Sequence, residues 1–250
     1  MHPLVRVWVA VAALAAAFLA ACSSPPPRPP SAAQASAQAH QLTGARALRR
    51  GDLNAALAAY GDALAASDSV EDFEGSATAL LNLALVHARL GQLDAAHARV
   101  DRILTAPQRH SDAQRGQAAT RKAMLYLDAK SHGMALHWAD QARAVCGDPC
   151  LLAPTLANLR AFVALDRGEF GRAADQARRA AELAAALGQE AEHANALRLL
   201  GRAHTKAGKT EEAASALARA LAIDRELGLP ERIALDLMHS GENEERRGQA

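Results

Sequence analysis

A repeat of about forty residues runs through most of this chain. The segments "RRGDLNAALAAYGDAL", "RLGQLDAAHARVDRIL", "DRGEFGRAADQARRAA" and "KAGKTEEAASALARAL" align without gaps, and a weaker copy, "AKSHGMALHWADQARA", lies between the second and the third. The anchors of the alignment are spaced by 40, 39, 38 and 40 positions and are Gly51, Gly91, Lys130, Gly168 and Gly208. Self-similarity at such a period is typical of solenoids, in which each unit buries its apolar face against its neighbours.

The composition predicts that these units are helical. Half of the residues are apolar, yet only 3% are aromatic, and alanine and leucine dominate beside arginine and glutamate. These are strong helix formers, and there are no long alternating runs of valine, isoleucine and threonine that would indicate strands. We therefore expect an all-α chain.

The units resemble the tetratricopeptide repeat. In that family a turn glycine is followed five residues later by alanine on the second helix of a pair, then by an apolar residue and another alanine. The matching triplets here are Ala56, Tyr60 and Ala63; Ala96, Val100 and Ile103; Ala135, Ala139 and Ala142; Ala173, Ala177 and Ala180; and Ala213, Leu217 and Ala220. The small position of the first helix is matched by Gly44, Ala84, Ala123, Ala161, Gly201 and Gly241.

This resemblance implies a right-handed α-solenoid of tetratricopeptide-type helix pairs over residues 37–250, with five repeats and a C-terminal capping helix. The period is longer than the usual unit of the family and is similar to the long-helix repeats of kinesin light chains. The third unit departs from the pattern, because Lys130 stands where the turn glycine belongs. We expect its turn to lie at His132 and Gly133 instead.

The N-terminus has the pattern of a secreted lipoprotein. Arg6 precedes an apolar run from Val7 to Ala21, which is too short to span a bilayer comfortably and is typical of a signal peptide. Leu19 to Cys22 resembles the bacterial lipobox, which implies cleavage after residue 21 and acylation of Cys22; the alternative is an ordinary signal peptide. Ser23 follows the cysteine, which favours the outer membrane and its periplasmic face over the inner membrane. Residues 22–36 are rich in proline, alanine and serine and predict a tether.

Charge and motifs argue against several function classes. Residues 1–21 hold one arginine and no acid, so the remaining chain is neutral and offers no general attraction for nucleic acid. The "AGKT" at 207–210 lacks the first glycine of a phosphate loop, because Ala203 occupies that position. The histidines lack the spacing of a zinc helix. We expect no enzyme activity, no metal, no cofactor and no small-molecule substrate.

In the resembled family, a concave groove made by the first helices binds a protein or peptide ligand. The groove positions carried over to this chain are Asn82, Leu85, Arg89, Met124, Asn158, Phe162, Arg198, Arg202 and Lys206. Arg198, Arg202 and Lys206 recur at four-residue steps and predict one cationic stripe along a helix. The stripe is either a solvated face or a dock for an acidic segment of a partner.

Cys146 and Cys150 remain once Cys22 is assigned to lipid, and an oxidising compartment favours a disulfide between them. Gly147, Asp148 and Pro149 end the helix and turn the chain, which lets the two side chains meet. A catalytic pair and two free thiols are the alternatives. The bond is expected to pin a joint between repeats.

The combined features favour a non-enzymatic scaffold. Size, anchor and repeats are similar to those of lipoproteins that assist assembly of envelope machines such as type IV or tight-adherence pilus systems. The alternative is an adaptor that recruits or regulates cell-wall enzymes, and a third, less favoured, is a subunit of the outer-membrane protein insertion complex. Membrane contact is expected through the lipid alone.

Overall fold

The computed structural model describes residues 29–248. The predicted signal peptide, the lipobox and Cys22 lie outside the described residues. Eleven helices, labelled α1 to α11, make up the described part; they span Ala32–Arg49, Leu53–Asp68, Phe73–Arg89, Leu93–Leu104, Asp112–Asp128, His132–Ala144, Ala153–Asp166, Phe170–Ala186, Glu190–Lys206, Thr210–Glu226 and Pro230–Gly248. None of these helices is both long enough and apolar enough to cross a membrane.

The helices form an α-solenoid of two layers. Each helix packs on the next one in the chain, and each odd-numbered helix also contacts the following odd-numbered helix. The odd helices therefore line one continuous inner surface, and the even helices lie outside it. Five helix pairs and a single last helix account for the eleven, so the predicted fold of five repeats plus a terminal helix is confirmed.

Buried small and apolar residues hold each pair together. All fifteen side chains of the aligned triplets are 2% exposed or less. Gly44 and Gly201 are needed for close approach, because a Cβ atom would lie 2.7 Å from the Tyr60 ring and 2.5 Å from Leu217 Cγ, respectively. Dense packing of this kind tolerates little added volume.

The turn of the third unit corrects the sequence prediction. α6 begins at His132, so His132 and Gly133 are helical and the turn lies before them. Lys130 itself adopts the left-handed conformation with φ 56°, as Gly51 does with φ 76° in the first unit. The Ser131 amide donates to the Tyr126 carbonyl across this turn at 2.8 Å. This hydrogen bond stabilises the turn at the same position as in the other repeats, although lysine replaces glycine there.

The solenoid begins earlier than the sequence predicts. α1 starts at Ala32, so the last residues assigned to the 22–36 tether are helical. Ser31 caps the helix by accepting from the Gln34 amide at 3.2 Å, while the Gln34 side chain accepts from the Ser31 amide at 3.0 Å. This reciprocal capping box stabilises a helix start that the high alanine and serine content obscured.

A disulfide joins Cys146 and Cys150, whose Cα atoms are 5.3 Å apart. It lies in the connection between the end of α6 at Ala144 and the start of α7 at Ala153. The bond therefore sits at the joint between the third and fourth helix pairs.

Candidate functional site

The inner surface of the solenoid carries a chain of three cavities. One of about 470 Å³ lies between α1 and α3, and one of about 320 Å³ lies between α3 and α5. The largest, about 540 Å³, is walled by α5, α7, α9 and α11. Thr78 lines the first two and Met124 the last two, so the three cavities adjoin one another along the inner surface and together make up its groove.

The largest cavity has an apolar floor contributed by four helices. Its floor residues come from α5, α7, α9 and α11 and include Met124, Leu159, Phe162, Leu199 and Met238. Met238 is 57% exposed and Phe162 is half-buried, so apolar surface faces the open space. An apolar cavity with a few polar groups at its edge is the usual form of a binding site.

The structure corrects the predicted cationic stripe. Arg198 is only 5% exposed, because it reaches between α10 and α11. Its guanidinium bonds Asp224 and also donates from Nε to Asp236 Oδ1 at 2.6 Å. Both aspartates are fully buried, so Arg198 is a structural group inside an internal ion network.

Lys206 is also engaged, since its ammonium bonds the Glu242 carboxylate of α11. The three cations of the predicted stripe therefore do not form one exposed row. Burial raises the pKa of Asp224, and the neighbouring Arg198 guanidinium opposes that rise.

Arg202 keeps a position in the groove. Its guanidinium lies 5.7 Å from the centre of the Phe162 ring, a cation–π arrangement at the edge of the largest cavity. No carboxylate of the described residues lies within salt-bridge distance of it. Burial lowers the pKa of Arg202 from its usual value.

The sequence reasoning missed Arg121. This residue lines the cavity between α3 and α5, and its Nη1 lies 4.0 Å from Met124 Sδ. Burial lowers the pKa of its guanidinium, and Asp128 on the same helix opposes this without reaching salt-bridge distance. A positional signal was present, because Arg121 precedes Lys130 by the same nine residues that separate Asn82 from Gly91.

The two asparagines of the predicted groove are held by neighbouring inner helices. The Asn82 side-chain amide donates to Gln41 Oε1 at 2.9 Å. The Asn158 side-chain amide donates to the backbone carbonyl and to the carboxylate of Glu192, at 3.1 and 2.8 Å. Asn158 Oδ1 is buried and has no hydrogen-bond donor among the described residues.

The predicted residues divide between the cavities and their surroundings. Five line the largest cavity: Met124, Asn158, Phe162, Arg198 and Arg202. Asn82 lines the middle cavity. Leu85 is half-buried and, like Lys206, lines none of the cavities described above.

Arg89 reaches across the groove. Its guanidinium approaches the Glu231 carboxylate of α11 at 3.7 Å, although the second and sixth units are far apart in the chain. The contribution of α11 to the groove, through Arg232, Leu235 and Met238, also escaped the sequence reasoning. It depends on the curvature of the whole solenoid.

Acidic and sulfur ligands do not cluster into a metal site in the part of the chain that the structure describes. Three histidines are instead buried or half-buried: His110 lies between α4 and α5, His204 on the inner helix α9 and His239 on the last helix, α11. Burial lowers the pKa of His110, of His204 and of His239 below the usual value of 6.5.

Comparison with known proteins gives structural matches. No protein-family profile matches the chain, and no curated protein sequence matches it. The thermophilic TPR protein TTC0263 of Thermus thermophilus superposes with a TM-score of 0.58 at 18% identity, over 82% of this chain and 98% of that one.

Two further structures are similar over most of their length. The apo form of RapI has a TM-score of 0.58 at 10% identity and covers 96% of this chain and 90% of its own. A Podosopora anserina protein with nearly identical TPR-like repeats has a TM-score of 0.55 at 15% identity, over 80% of this chain and 99% of its own. With these likenesses and the geometry above, the chain has the fold of a tetratricopeptide-repeat solenoid.

Proposed function

We propose that this chain is a non-enzymatic protein-binding scaffold whose inner groove holds a segment of a partner. The observation that carries the proposal is the row of adjoining cavities, which ends in a cavity of about 540 Å³ with an apolar floor. A segment laid along it would meet side chains from four inner helices at once. Such a surface recognises an extended or helical segment without catalytic groups.

The scaffold is tethered to the outer membrane through Cys22 and faces the periplasm. The support for this part is the sequence alone, in which a basic start and an apolar run precede Leu19-Ala20-Ala21-Cys22. The tether would place the groove within reach of partners in the envelope. The disulfide between Cys146 and Cys150 agrees with an oxidising compartment.

The partner belongs to an envelope machine such as a type IV or tight-adherence pilus system. This rests on the combination of anchor, size and repeats, since a fold by itself does not specify a partner. An adaptor for cell-wall enzymes uses the same groove and the same anchor. The two functions differ in the protein that is held.

Site-specific cross-linking tests the groove. A photoreactive benzoylphenylalanine at Phe162 lies in the largest cavity, and the same group at Ala218 lies exposed on α10. We expect an envelope-machine protein in adducts from Phe162 and not from Ala218. Cell-wall enzymes in these adducts would establish the alternative instead. Identical adducts from both positions, or none from Phe162, would contradict groove binding.

Replacement of Cys22 tests the tether separately. Cys22→Ala should leave an unprocessed precursor and remove the acyl mass from the N-terminus, while Cys146→Ala should leave lipidation unchanged. Normal processing of Cys22→Ala to a released protein would contradict the lipid anchor.

A further inference from the structure

Four cations on the inner helices α5 and α9 fall into two groups. Arg198 and Lys206 are each bonded to carboxylates of this chain. Arg121 and Arg202 have no carboxylate at salt-bridge distance among the described residues. A buried or half-buried guanidinium loses hydration and gains most from an ionised acceptor.

The two acids whose charge acts on Arg202 already have other partners. The negative charges of Glu242 and Asp166 stabilise the protonated Arg202 guanidinium and so oppose the lowering of its pKa by burial. However, Asp166 Oδ2 lies 3.1 Å from His132 Nε2, and Glu242 bonds Lys206. Neither carboxylate has to leave its partner for the groove to accept another anion.

Arg121 and Arg202 are linked through apolar surface. Arg121 contacts Met124, which lines both the middle and the largest cavity. Arg202 stacks on Phe162 at the floor of the largest cavity. A single segment that crosses the Met124 boundary would therefore meet one cation on each side of an apolar stretch.

The rest of the largest cavity is also poor in negative charge. Its lining includes Arg232, whose Nη1 donates to the Ala191 carbonyl at 2.8 Å, and one carboxylate, Glu192, which accepts from Asn158. Asp224 and Asp236 lie behind the Arg198 guanidinium and are fully buried. Since the exposed charge in the cavity is mostly positive, it disfavours a basic occupant.

We propose that the occupant of the groove is a partner segment with an apolar centre and carboxylates on both sides, and that Arg121 and Arg202 receive those carboxylates. The proposal rests on the proposed function and specifies the chemistry of the segment. The apolar centre lies on Met124 and Phe162. Basic and neutral segments are the alternatives that the test separates.

Three fluorescent peptides that share a leucine-leucine-phenylalanine centre provide the probe. Glutamates flank the centre in the first, serines in the second and lysines in the third. With the full chain in detergent, we expect fluorescence anisotropy to show the glutamate peptide binding about tenfold more tightly than the serine peptide. The lysine peptide should bind more weakly than either, and added salt should reduce the advantage of the glutamate peptide.

Variants locate the effect. Arg121→Gln with Arg202→Gln should reduce glutamate-peptide binding to about the level of the serine peptide and change serine-peptide binding by less than about twofold. Arg219→Gln is the matched control, since Arg219 is exposed on α10. Glutamate at both groove positions should reverse the preference toward the lysine peptide. Circular dichroism checks that each variant is folded.

The outcomes separate this chemistry from the broader function. Equal affinity for all three peptides, or a glutamate preference that survives in the double glutamine variant, would overturn the role of the two arginines. Failure of every peptide to bind would overturn the proposed segment chemistry. In each case cross-linking from Phe162 still decides whether the groove holds a partner protein.

Discussion

At the scale of single residues, Arg198 is the side chain whose role the structure changes most. Truncation to alanine would leave Asp224 and Asp236 buried without their shared cation. We expect Arg198→Ala to lower the free energy of unfolding by about 3 to 5 kcal/mol. Urea denaturation followed by circular dichroism measures the change.

Arg219→Ala serves as the control for this prediction, because Arg219 is exposed on the neighbouring α10. Its effect should stay within about 0.5 kcal/mol. A loss for Arg198→Ala that is no larger than the loss for Arg219→Ala would contradict a buried ion network.

Lys130 is a residue whose backbone conformation lowers the stability of the fold. Its φ of 56° lies in the left-handed region, which a residue with a Cβ atom adopts unfavourably. Lys130→Gly should therefore raise the free energy of unfolding by about 1 kcal/mol, as measured by urea denaturation.

Gly168→Lys is the reciprocal experiment. Gly168 has φ 77° and open space around an added Cβ atom, so strain in the backbone is the main consequence of the change. This variant should be destabilised by about the same amount. Destabilisation by Lys130→Gly would show that the lysine side chain contributes more than its backbone conformation costs.

At the scale of elements, α11 is unusual because the side chains that it buries against the rest of the solenoid are polar. Its buried residues are Asp236, His239 and Asn243. The Asn243 amide donates to the Thr210 carbonyl at 2.9 Å, and its Oδ1 accepts from Thr205 at 3.0 Å. Directional bonds thus fix α11 at the open end of the solenoid and complete the wall of the largest cavity.

Asn243→Ala should loosen this helix selectively. The variant removes both hydrogen bonds that Asn243 makes, to the Thr210 carbonyl and from the Thr205 hydroxyl, although that hydroxyl can still donate to the Gly201 carbonyl at 3.0 Å. We expect faster hydrogen exchange across 230–248 and unchanged exchange in α1 to α4. Glu245→Ala, an exposed change on the same helix, should leave α11 protected. Uniform acceleration in all helices would indicate global destabilisation instead.

At the scale of the whole molecule, buried histidines make stability depend on pH. Burial lowers the pKa of four imidazoles, namely His97, His110, His204 and His239. Between these lowered values and the usual 6.5, the unfolded chain binds more protons than the folded chain. The stabilisation is therefore complete above about pH 6.5 and declines as the pH falls.

The urea midpoint should consequently be lower at about pH 5.5 than at about pH 7.5. His97→Gln with His239→Gln should reduce that difference. Asp224 acts in the opposite sense, since burial raises its pKa, and its contribution declines as the pH rises from the carboxyl range. A midpoint that is higher at the lower pH would contradict the dominant role of the histidines.

The repeat, the all-α fold and the inward side chains were all readable from the sequence. Ala56, Tyr60 and Ala63 are buried as their alignment predicts, and so are the equivalent residues of the later units. Such positions are predictable because each unit packs by the same local contacts. The same residue spacing therefore recurs in all five repeats and can be recognised by alignment. The third turn and the start of α1 were misplaced, since one lysine and one serine-capped helix start differ from the repeated pattern.

The sequence by itself determined the fold class and the number of repeats, and it placed Met124, Asn158 and Phe162 on the inner surface where the structure has them. The tertiary structure alone decided which groove cations are available. Arg198 looked exposed beside Arg202, but Asp224 and Asp236 approach it from 26 and 38 residues further along the chain. Helix periodicity describes the face on which a side chain lies, whereas burial and charge pairing depend on distant helices that superhelical curvature brings against that face.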